Sequence, residues 1–243
     1  MKKLISCIAL FACIFTYTGC NEMEDDGSRG FMSDATIVGD SENGYYCYLD
    51  HGGLVISYSR ELADKERGYF SFNYMENDWT TAPNGLKYID NAHVYASQEY
   101  DVIHPITQKE AEAKHITDKD SCFVPSFLSV DYPSNGYFDI NARFATVIKE
   151  KEENIYGEVN IVYDAAKQDP DTLRLQLCYN PHIPDGWSKV GNISRTVSCD
   201  ISSLASLQQW NDSVTIVIDD ADKGQYIRKI RKNDFLKPTV KVD

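Results

Sequence analysis

Hydrophobic and polar residues alternate with a period of two along most of the chain, which is typical of β-strands that bury one face. The alternating runs are short, and they are separated by Gly, Asn, Asp and Pro, the residues that favour turns. In the first half of the chain the runs occupy residues 35–38, 45–49, 54–58, 69–75 and 92–103. Short strands at this density predict a small barrel.

The same alternation continues in the second half, where it is clearest over residues 138–144. Seven short strands are predicted there, at residues 122–130, 138–144, 159–163, 173–179, 197–201, 214–218 and 226–231. This number and spacing predict an antiparallel, immunoglobulin-like β-sandwich. Between the halves, Thr107 and Glu110 have the spacing of a capping box, which predicts a short helix over residues 111–115.

The chain is therefore predicted to be all-β and to contain two domains. An OB-like domain at residues 33–106 is followed by a linker with a short helix at 107–120 and by a β-sandwich domain at 121–243. No solenoid repeat or low-complexity tract interrupts this pattern.

The amino end has the pattern of a targeting segment. Lys2 and Lys3 precede an apolar run at residues 4–15, which is too short to span about 30 Å of hydrocarbon and predicts a signal peptide over residues 1–19. The following Thr16-Tyr17-Thr18-Gly19-Cys20 resembles the lipobox of bacterial lipoproteins, although Tyr17 stands where leucine is usual. This resemblance implies cleavage before Cys20, a diacylglyceryl thioether on its sulfur and a palmitate-type acyl chain. An ordinary signal peptide is the alternative.

An acidic segment follows directly, because four of the six residues at 21–26 are Glu or Asp. Such a segment cannot bury a core, so residues 20–32 are predicted to be a tether. Acidic residues after an acylated cysteine resemble the signal that sends some lipoproteins to the outer face of the outer membrane. The predicted location is therefore the outer membrane, with a lipid anchor and the domains facing the cell exterior; the alternative is a solvated spacer.

Composition and charge exclude several classes of protein. The chain has 24 Lys and Arg against 37 Asp and Glu, a net charge of -13, which disfavours binding to nucleic acid or to anionic lipid through a basic surface. A hydrophobic content of 42% and a mean hydropathy of -0.41 are those of a water-soluble globular body rather than a multi-span membrane protein.

At the level of order and spacing, the chain resembles the NigD-like lipoproteins. The resemblance rests on the signal at Cys20, the hairpin at residues 44–50, the strands at 69–74 and 100–103, and the segment 136–141. It implies an N-terminal OB domain, a C-terminal β-sandwich domain and a role in immunity against a bacteriocin. It implies no active-site residue.

The sequence offers few motifs for catalysis or for cofactor binding. Five histidines, His51, His93, His104, His115 and His182, are scattered without metal-ligand spacing, and hydrolase or nucleotide-binding motifs are not found. Asp220-x-Asp222-x-Gly224 is similar to the start of a calcium loop, but its place between two predicted strands favours a hairpin turn. We therefore predict no catalytic residue, metal site or cofactor, and a protein that is not an enzyme.

Four cysteines besides Cys20 could oxidise after export: Cys47, Cys122, Cys178 and Cys199. Cys199 shares a strand face with Val197 and Ile201, whereas Cys178 is predicted to lie on the polar face of its strand. Side chains on opposite faces of a sheet cannot form a disulfide, so a Cys178–Cys199 bond is disfavoured. Mostly buried or isolated thiols are expected.

The favoured function is binding by a lipid-anchored envelope protein, with immunity to a bacteriocin as one form. A surface glycan-binding accessory protein is the alternative, and Trp79 and Trp187 are its candidate ligand contacts. A third hypothesis is a glycan hydrolase with an Asp/Glu pair, although 37 acidic residues prevent the choice of a pair.

Overall fold

The computed structural model describes residues 26–116, 127–147, 158–180, 190–206, 213–220, 224–231, 234 and 236–239. Within these ranges β-strands predominate, and one short α-helix is present. The predicted all-β fold class is confirmed.

The first sheet contains seven strands in the order β5-β6-β3-β2-β1-β4-β7. β1 begins earlier than the predicted strand at 35–38, and it pairs with β2 on one side and with β4 on the other. The strands are β1 (Ser28–Asp40), β2 (Gly44–Leu49), β3 (Leu54–Ser57), β4 (Arg67–Met75), β5 (Trp79–Thr81), β6 (Lys87–Ile89) and β7 (His93–Glu99). Single 3₁₀ turns lie at Arg60–Leu62 and Glu76–Asp78.

This sheet closes on itself as a barrel. β6 runs parallel to β3, with Leu54 opposite Tyr88, and residues 90–92 then lead into β7, which pairs antiparallel with β4. The Ala92 amide donates to the Ile56 carbonyl at 2.9 Å and ties the connection to β3. Because β4 also pairs with β1, this backbone hydrogen bond brings the start of β7 back to β3, as in the predicted OB-like barrel, although no ladder of strand pairs joins β7 to β3 among the described residues.

The barrel core comes from alternate positions of these strands. Phe70 and Phe72 on β4 are completely buried, and the Phe31 ring stacks on Phe72 with 5.3 Å between centroids. Burying a side chain of this size contributes about 1.5–3 kcal/mol. Gly68, at the start of β4, allows β7 to approach, since a Cβ there would lie 2.5 Å from the Gln98 carbonyl oxygen. Because side chains at alternate positions pack in the core, the period of two in the sequence predicted these strands.

The second domain has two sheets, in the orders β10-β11-β14-β8 and β16-β15-β13-β12-β9. All seven strands predicted for this half are present, as β10 to β16. The strands are β8 (Asp101–Ile103), β9 (Ile106–Thr107), β10 (Phe127–Val130), β11 (Tyr137–Val147), β12 (Glu158–Tyr163), β13 (Thr172–Asn180), β14 (Val190–Asp200), β15 (Ser213–Asp220) and β16 (Gly224–Arg231). Further 3₁₀ turns lie at Ala165–Lys167 and Ser202–Ser206.

One core lies between the two sheets, which makes this domain a sandwich. Phe138, Ile140 and Val197 from the first sheet join Leu175 and Ile216 from the second in a single buried cluster. The residues between them on each strand point to the opposite face of their sheet, as the alternation predicted, but some of them, such as Asp139, Val162 and Cys178, are also buried there.

The prediction of purely antiparallel sheets is wrong. β8 runs parallel to β14, β9 to β12 and β13 to β15. The β13–β15 pair is parallel because β14, which separates them in sequence, lies in the opposite sheet, so that the chain crosses the sandwich before it returns.

The predicted single strand over 92–103 is also wrong, because the chain divides at Tyr100. The Tyr100 amide donates to the Arg67 carbonyl of the barrel at 3.0 Å, and the next three residues form β8 of the sandwich. Residues 101–106 thus hydrogen-bond to both sheets of the sandwich, although they precede the predicted linker. The division of the chain at 106, 107–120 and 121 stays a prediction.

The predicted short helix is confirmed as α1 (Gln108–Ala113), which begins and ends earlier than expected. The Thr107 hydroxyl accepts from the Glu110 amide at 3.2 Å, and the Glu110 carboxylate accepts from the Thr107 amide at 2.8 Å. This is the complete capping box that the sequence predicted.

Candidate functional site

A buried arginine joins the barrel to the sandwich. Arg67, at the start of β4, is 1% exposed and binds the Asp50 carboxylate with both terminal nitrogens, at 2.6 and 2.5 Å. The same guanidinium donates to the Asp139 carboxylate of β11 at 3.3 and 2.5 Å, and to the Thr36 hydroxyl at 3.1 Å. One cation of the barrel therefore binds a carboxylate from each domain.

This arrangement keeps the guanidinium charged. Burial acts to lower the pKa of Arg67, but hydrogen bonds to Asp50 and the charge of Asp139 outweigh it, so the pKa lies above its ordinary value. Tyr137 of the sandwich adds a cation–π contact, with its ring centroid 5.6 Å from the guanidinium carbon. Such a group is a structural cation and does not exchange protons near neutral pH.

A second cluster of side chains crosses the interface between the barrel and the sandwich, which we call the seam. The Lys237 ammonium binds Glu66 of the barrel at 2.8 Å and Asp200 of the sandwich at 2.9 Å, and it lies 4.8 Å from the centroid of the Tyr137 ring. The Tyr137 hydroxyl donates to the Glu66 carboxylate. At the other side of the seam the Tyr100 hydroxyl donates to Asp34 at 2.6 Å. The two domains are thus coupled by several charged hydrogen bonds.

An acidic cleft of about 450 Å³ opens beside the Arg67 cluster. Burial, followed by the nearby charge of Asp139, raises the pKa of Asp131 in this cleft, against a hydrogen bond from Asn141. Its lining consists of Asp34, Asp50, His51, Asp131, Tyr132 and Asp139. Among the described residues no group of three or more His, Cys, Asp or Glu is arranged to hold a metal ion.

A larger pocket of about 700 Å³ lies on the barrel, between the end of β3 and the start of β7. Tyr58 and Tyr95 line it and are 53% and 56% exposed. Ala92 and Val94 point into the barrel core, so they present mainly backbone to the pocket. The remaining lining is polar: Ser59, Arg60, Glu61, Asn91 and His93. The pocket is thus more polar than most small-ligand sites, and among the described residues its two tyrosines are its only aromatic rings apart from the His93 imidazole.

Tyr58 also belongs to a cluster of tyrosines on the outer face of β2, β3 and β6. The pKa of Tyr88 lies above its ordinary value because of burial, followed by the nearby charge of Asp90. A Cβ at Gly44 would lie 3.0 Å from the Tyr58 ring, so this ring packs directly on the β2 backbone. The outer face of strands 2 and 3 is the face that OB barrels commonly use for ligands.

The sequence-predicted site residues are not brought together. Trp79 is 51% exposed and lies on the same sheet face as Ile89, its cross-strand partner, with its ring edge-on to Tyr74 at 6.2 Å. It lines neither of the two pockets described above. Cys20 and Trp187 lie outside the described residues. The pocket tyrosines Tyr58 and Tyr95 were missed because exposure at a barrel seam has no local sequence signal.

The cysteine prediction is confirmed where the structure describes it. Cys47, Cys178 and Cys199 are buried thiols, while Cys122 lies outside the described residues. Cys199 is in the sandwich core and Cys178 lies on the opposite face of its sheet. That face is not polar as expected, because α1 covers it and Cys178 packs with Ala111 and Ile116. Their disulfide is excluded by this geometry.

The structure also bears on the calcium-like sequence and on membrane-spanning helices. β15 and β16 pair antiparallel as far as Asp220 opposite Gly224, so the calcium-like sequence joins two strands of a hairpin, and residues 221–223 lie outside the description. In the part of the chain that is described, no helix has the length and apolar character needed to cross a membrane.

Comparison by sequence gives no relative: no protein-family model and none of the curated proteins matches the chain.

Comparison by structure gives similar folds from species of Bacteroides and Parabacteroides. A candidate lipoprotein of Bacteroides fragilis has a TM-score of 0.55 at 13% identity, covering 84% of this chain and 98% of its own. A candidate toxin-related protein of Parabacteroides distasonis has a TM-score of 0.51 at 18% identity, covering 85% and 96%. A NigD-like immunity protein of Bacteroides caccae is also similar, with a TM-score of 0.48 at 15% identity, covering 82% and 91%. The chain therefore shares its β-fold with the Bacteroides fragilis and Parabacteroides distasonis structures.

Proposed function

We propose that this chain is a lipid-anchored protein of the cell envelope that acts by binding, with an immunity-like role. The observation that carries the binding role is the seam between the domains, where Arg67 holds Asp50 and Asp139, and Lys237 holds Glu66 and Asp200. These contacts couple barrel and sandwich, so that a partner meets one preorganised surface.

The same contacts favour binding over glycan hydrolysis. A glycosidase needs one carboxylic acid that donates a proton and one carboxylate that is free to act on the sugar. The buried carboxylates Asp139 and Asp200 are instead each paired with a cation of the protein itself. The proposal is therefore a protein that is not an enzyme, and a hydrolase remains the least favoured hypothesis.

The anchor in this proposal is Cys20, which follows Gly19 and precedes the acidic tether. Acylation would hold the protein on the outer membrane, and the acidic run supports a position on the outer face. Several acyl chains give stable anchoring, because each buried methylene contributes about 0.8 kcal/mol and one chain is only marginal.

The anchor is tested by labelling cells with radioactive palmitate. The wild-type chain should incorporate label and be processed, whereas Cys20→Ser, which cannot form the thioether, should remain an unprocessed precursor. Cys47→Ser is the matched control, since Cys47 is buried in the barrel and should not affect labelling. Equal labelling of the wild type and Cys20→Ser would contradict the anchor.

The immunity-like role is tested by deleting the gene and challenging the cells with bacteriocins and other envelope-directed toxins. Greater sensitivity, restored by the wild-type gene, is expected. Unchanged sensitivity to every toxin would contradict this role and leave the anchor standing.

The second candidate function is that of a glycan-binding accessory protein, and the barrel pocket with two exposed tyrosines favours it. In this function the ligand would contact Tyr58 and Tyr95 rather than Trp79. A glycan array probed with the purified chain tests it, and the absence of any bound glycan would exclude it.

A further inference from the structure

We infer that the barrel pocket between β3 and β7 is a binding site for a neutral saccharide, with Tyr58 and Tyr95 as its stacking surfaces. This inference deepens the binding role proposed above by assigning a site and a ligand class to it. It does not depend on the anchor or on immunity, which have separate tests.

The aromatic part of the argument rests on exposure. Tyr58 and Tyr95 are more than half exposed, whereas Phe70 and Phe72 of the same barrel are fully buried. Trp79 is exposed as well, but it does not line this pocket. The rigid support of Tyr58 by Gly44 lowers the entropy lost when a ligand packs on its ring. The apolar C–H face of a pyranose is a ligand surface that stacks on a phenol in this way, while the sugar hydroxyls stay available for hydrogen bonds.

The polar groups of the pocket can form hydrogen bonds with the hydroxyl groups of a sugar. Arg60 donates hydrogen bonds, Glu61 accepts them, and Asn91 can do both. A sugar hydroxyl is both a donor and an acceptor, so a mixed set of this kind can bind adjacent hydroxyls in pairs. Asn91 has a φ of 57°, a left-handed conformation that asparagine tolerates well, and it turns the chain from β6 into β7 at the rim of the pocket.

Charge narrows the ligand class to neutral saccharides. Arg60 and Glu61 contribute one charge of each sign to the pocket, so its lining is close to neutral when His93 is neutral. The whole chain has a net charge of -13, which repels an anionic polymer from the surrounding surface. A cationic ligand would instead favour the acidic cleft, where four aspartates lie.

A peptide that adds to the barrel as a β-strand fits less well, because side chains already cover the outer edge of β7. The Ser59 hydroxyl donates to the Val94 carbonyl at 3.4 Å, and the Lys65 ammonium binds the Ser97 hydroxyl at 2.6 Å. These side chains lie over the edge of β7 that a peptide backbone would need.

The test is isothermal titration calorimetry of the purified full chain, kept in detergent, with neutral linear hexasaccharides of glucose, mannose, galactose, xylose and N-acetylglucosamine. At least one should bind to the wild type. Tyr58→Ala and Tyr95→Ala should each reduce the affinity by about twofold to tenfold, because each variant loses one aromatic stacking contact. Tyr58→Phe and Tyr95→Phe keep the ring and should retain most of the affinity.

Tyr132→Ala is the matched control, because Tyr132 is 53% exposed but lines the acidic cleft instead. It should bind as the wild type does, and thermal melting of all variants shows that each is folded. No heat of binding with any member of the panel overturns the inference, as does full affinity in both alanine variants. A peptide library that binds to the wild type and loses its affinity in the same variants would replace the saccharide with a peptide ligand.

Discussion

Arg67 and Asp139 are 72 positions apart in the chain and in different domains, yet two hydrogen bonds of 3.3 and 2.5 Å join their side chains in a buried site. Their side chains are 1% and 3% exposed. Removing one partner of such a pair leaves the other charge buried without a counter-ion, which is far more costly than losing a surface ion pair.

Arg67→Ala is therefore expected to destabilise the chain by about 3–5 kcal/mol. Asp50 and Asp139 would both lose their cation, and the seam between barrel and sandwich would open first. Urea unfolding followed by tyrosine and tryptophan fluorescence measures the free energy. Arg60→Ala, which removes an exposed arginine of the same barrel, is the control and should cost little; a similar loss in the two variants would contradict the structural role of Arg67.

Low pH should weaken the contacts between the barrel and the sandwich. Burial acts to raise the pKa of Asp200, but hydrogen bonds from Ser202 and Lys237 outweigh it, and the pKa lies below its ordinary value of 3.8. A carboxylate whose pKa is lower in the folded chain stabilises the fold above its unfolded pKa, and this contribution disappears as the pH falls through the folded pKa. The melting temperature should therefore fall as the pH drops from about 5 toward 3.

The control for this pH dependence is Asp200→Asn, which cannot titrate. It should be less stable than the wild type at pH 7, because it loses the charge that pairs with Lys237, and its melting temperature should change less between pH 5 and pH 3. Identical pH profiles for the two chains would contradict a role of Asp200 in acid stability.

The buried cysteines should be unreactive in the folded chain. Burial raises the pKa of Cys47 and of Cys199, so that neither thiol ionises near neutral pH. Iodoacetamide should alkylate neither of them in native buffer and should alkylate both in urea, as peptide mass spectrometry will show. Rapid labelling of Cys199 in native buffer would show that the sandwich core opens.

The capping box of α1 should contribute about 1 kcal/mol. Thr107→Ala removes the hydroxyl that accepts from the Glu110 amide, and α1 covers Cys178, so the loss should appear in the stability of the whole sandwich. Glu110→Gln keeps an acceptor at the same place and should cost less. Chemical denaturation of the two variants checks this order, and equal losses would contradict it.

The acidic tether should decide on which side of the membrane the domains lie. Replacing Glu22, Glu24, Asp25 and Asp26 by alanine should move the protein to the periplasmic side. Protease added to intact cells should cleave the wild type and leave the variant intact until lysis. A wild type that is protected in intact cells would keep the anchor and reverse its orientation.

The strands were predictable because they depend on local alternation. Each of β10 to β16 matches a predicted strand, since the buried face repeats every second residue. Which strands pair, and in which direction, depends instead on how the chain crosses between sheets, and this explains why β13 and β15 were not expected to be parallel. Cys178 shows a similar limit. It lies on the strand face opposite the sandwich core, as predicted, but that face is buried rather than polar because α1, which is distant in sequence, covers it.

The candidate site was harder to predict than the fold. Arg67 follows Lys65 and Glu66 in a charged stretch that local rules assign to the surface, and its burial depends on Asp50 and Asp139. The barrel pocket likewise forms from two segments that meet only when β6 passes beside β3. Tyr58 and Tyr95 have no feature in the sequence that separates them from the buried aromatic residues of the barrel.

The shortness of strands β8 and β9 affects how copies of a membrane-anchored protein would contact one another. They occupy one outer edge of each sandwich sheet and are only three and two residues long. A protein that is held by its lipid on a membrane meets many copies of itself in two dimensions, and a long open strand edge would pair with the next copy. Edges this short offer too few backbone groups for such pairing, so under the proposed anchoring these two edges of the sandwich are protected from it.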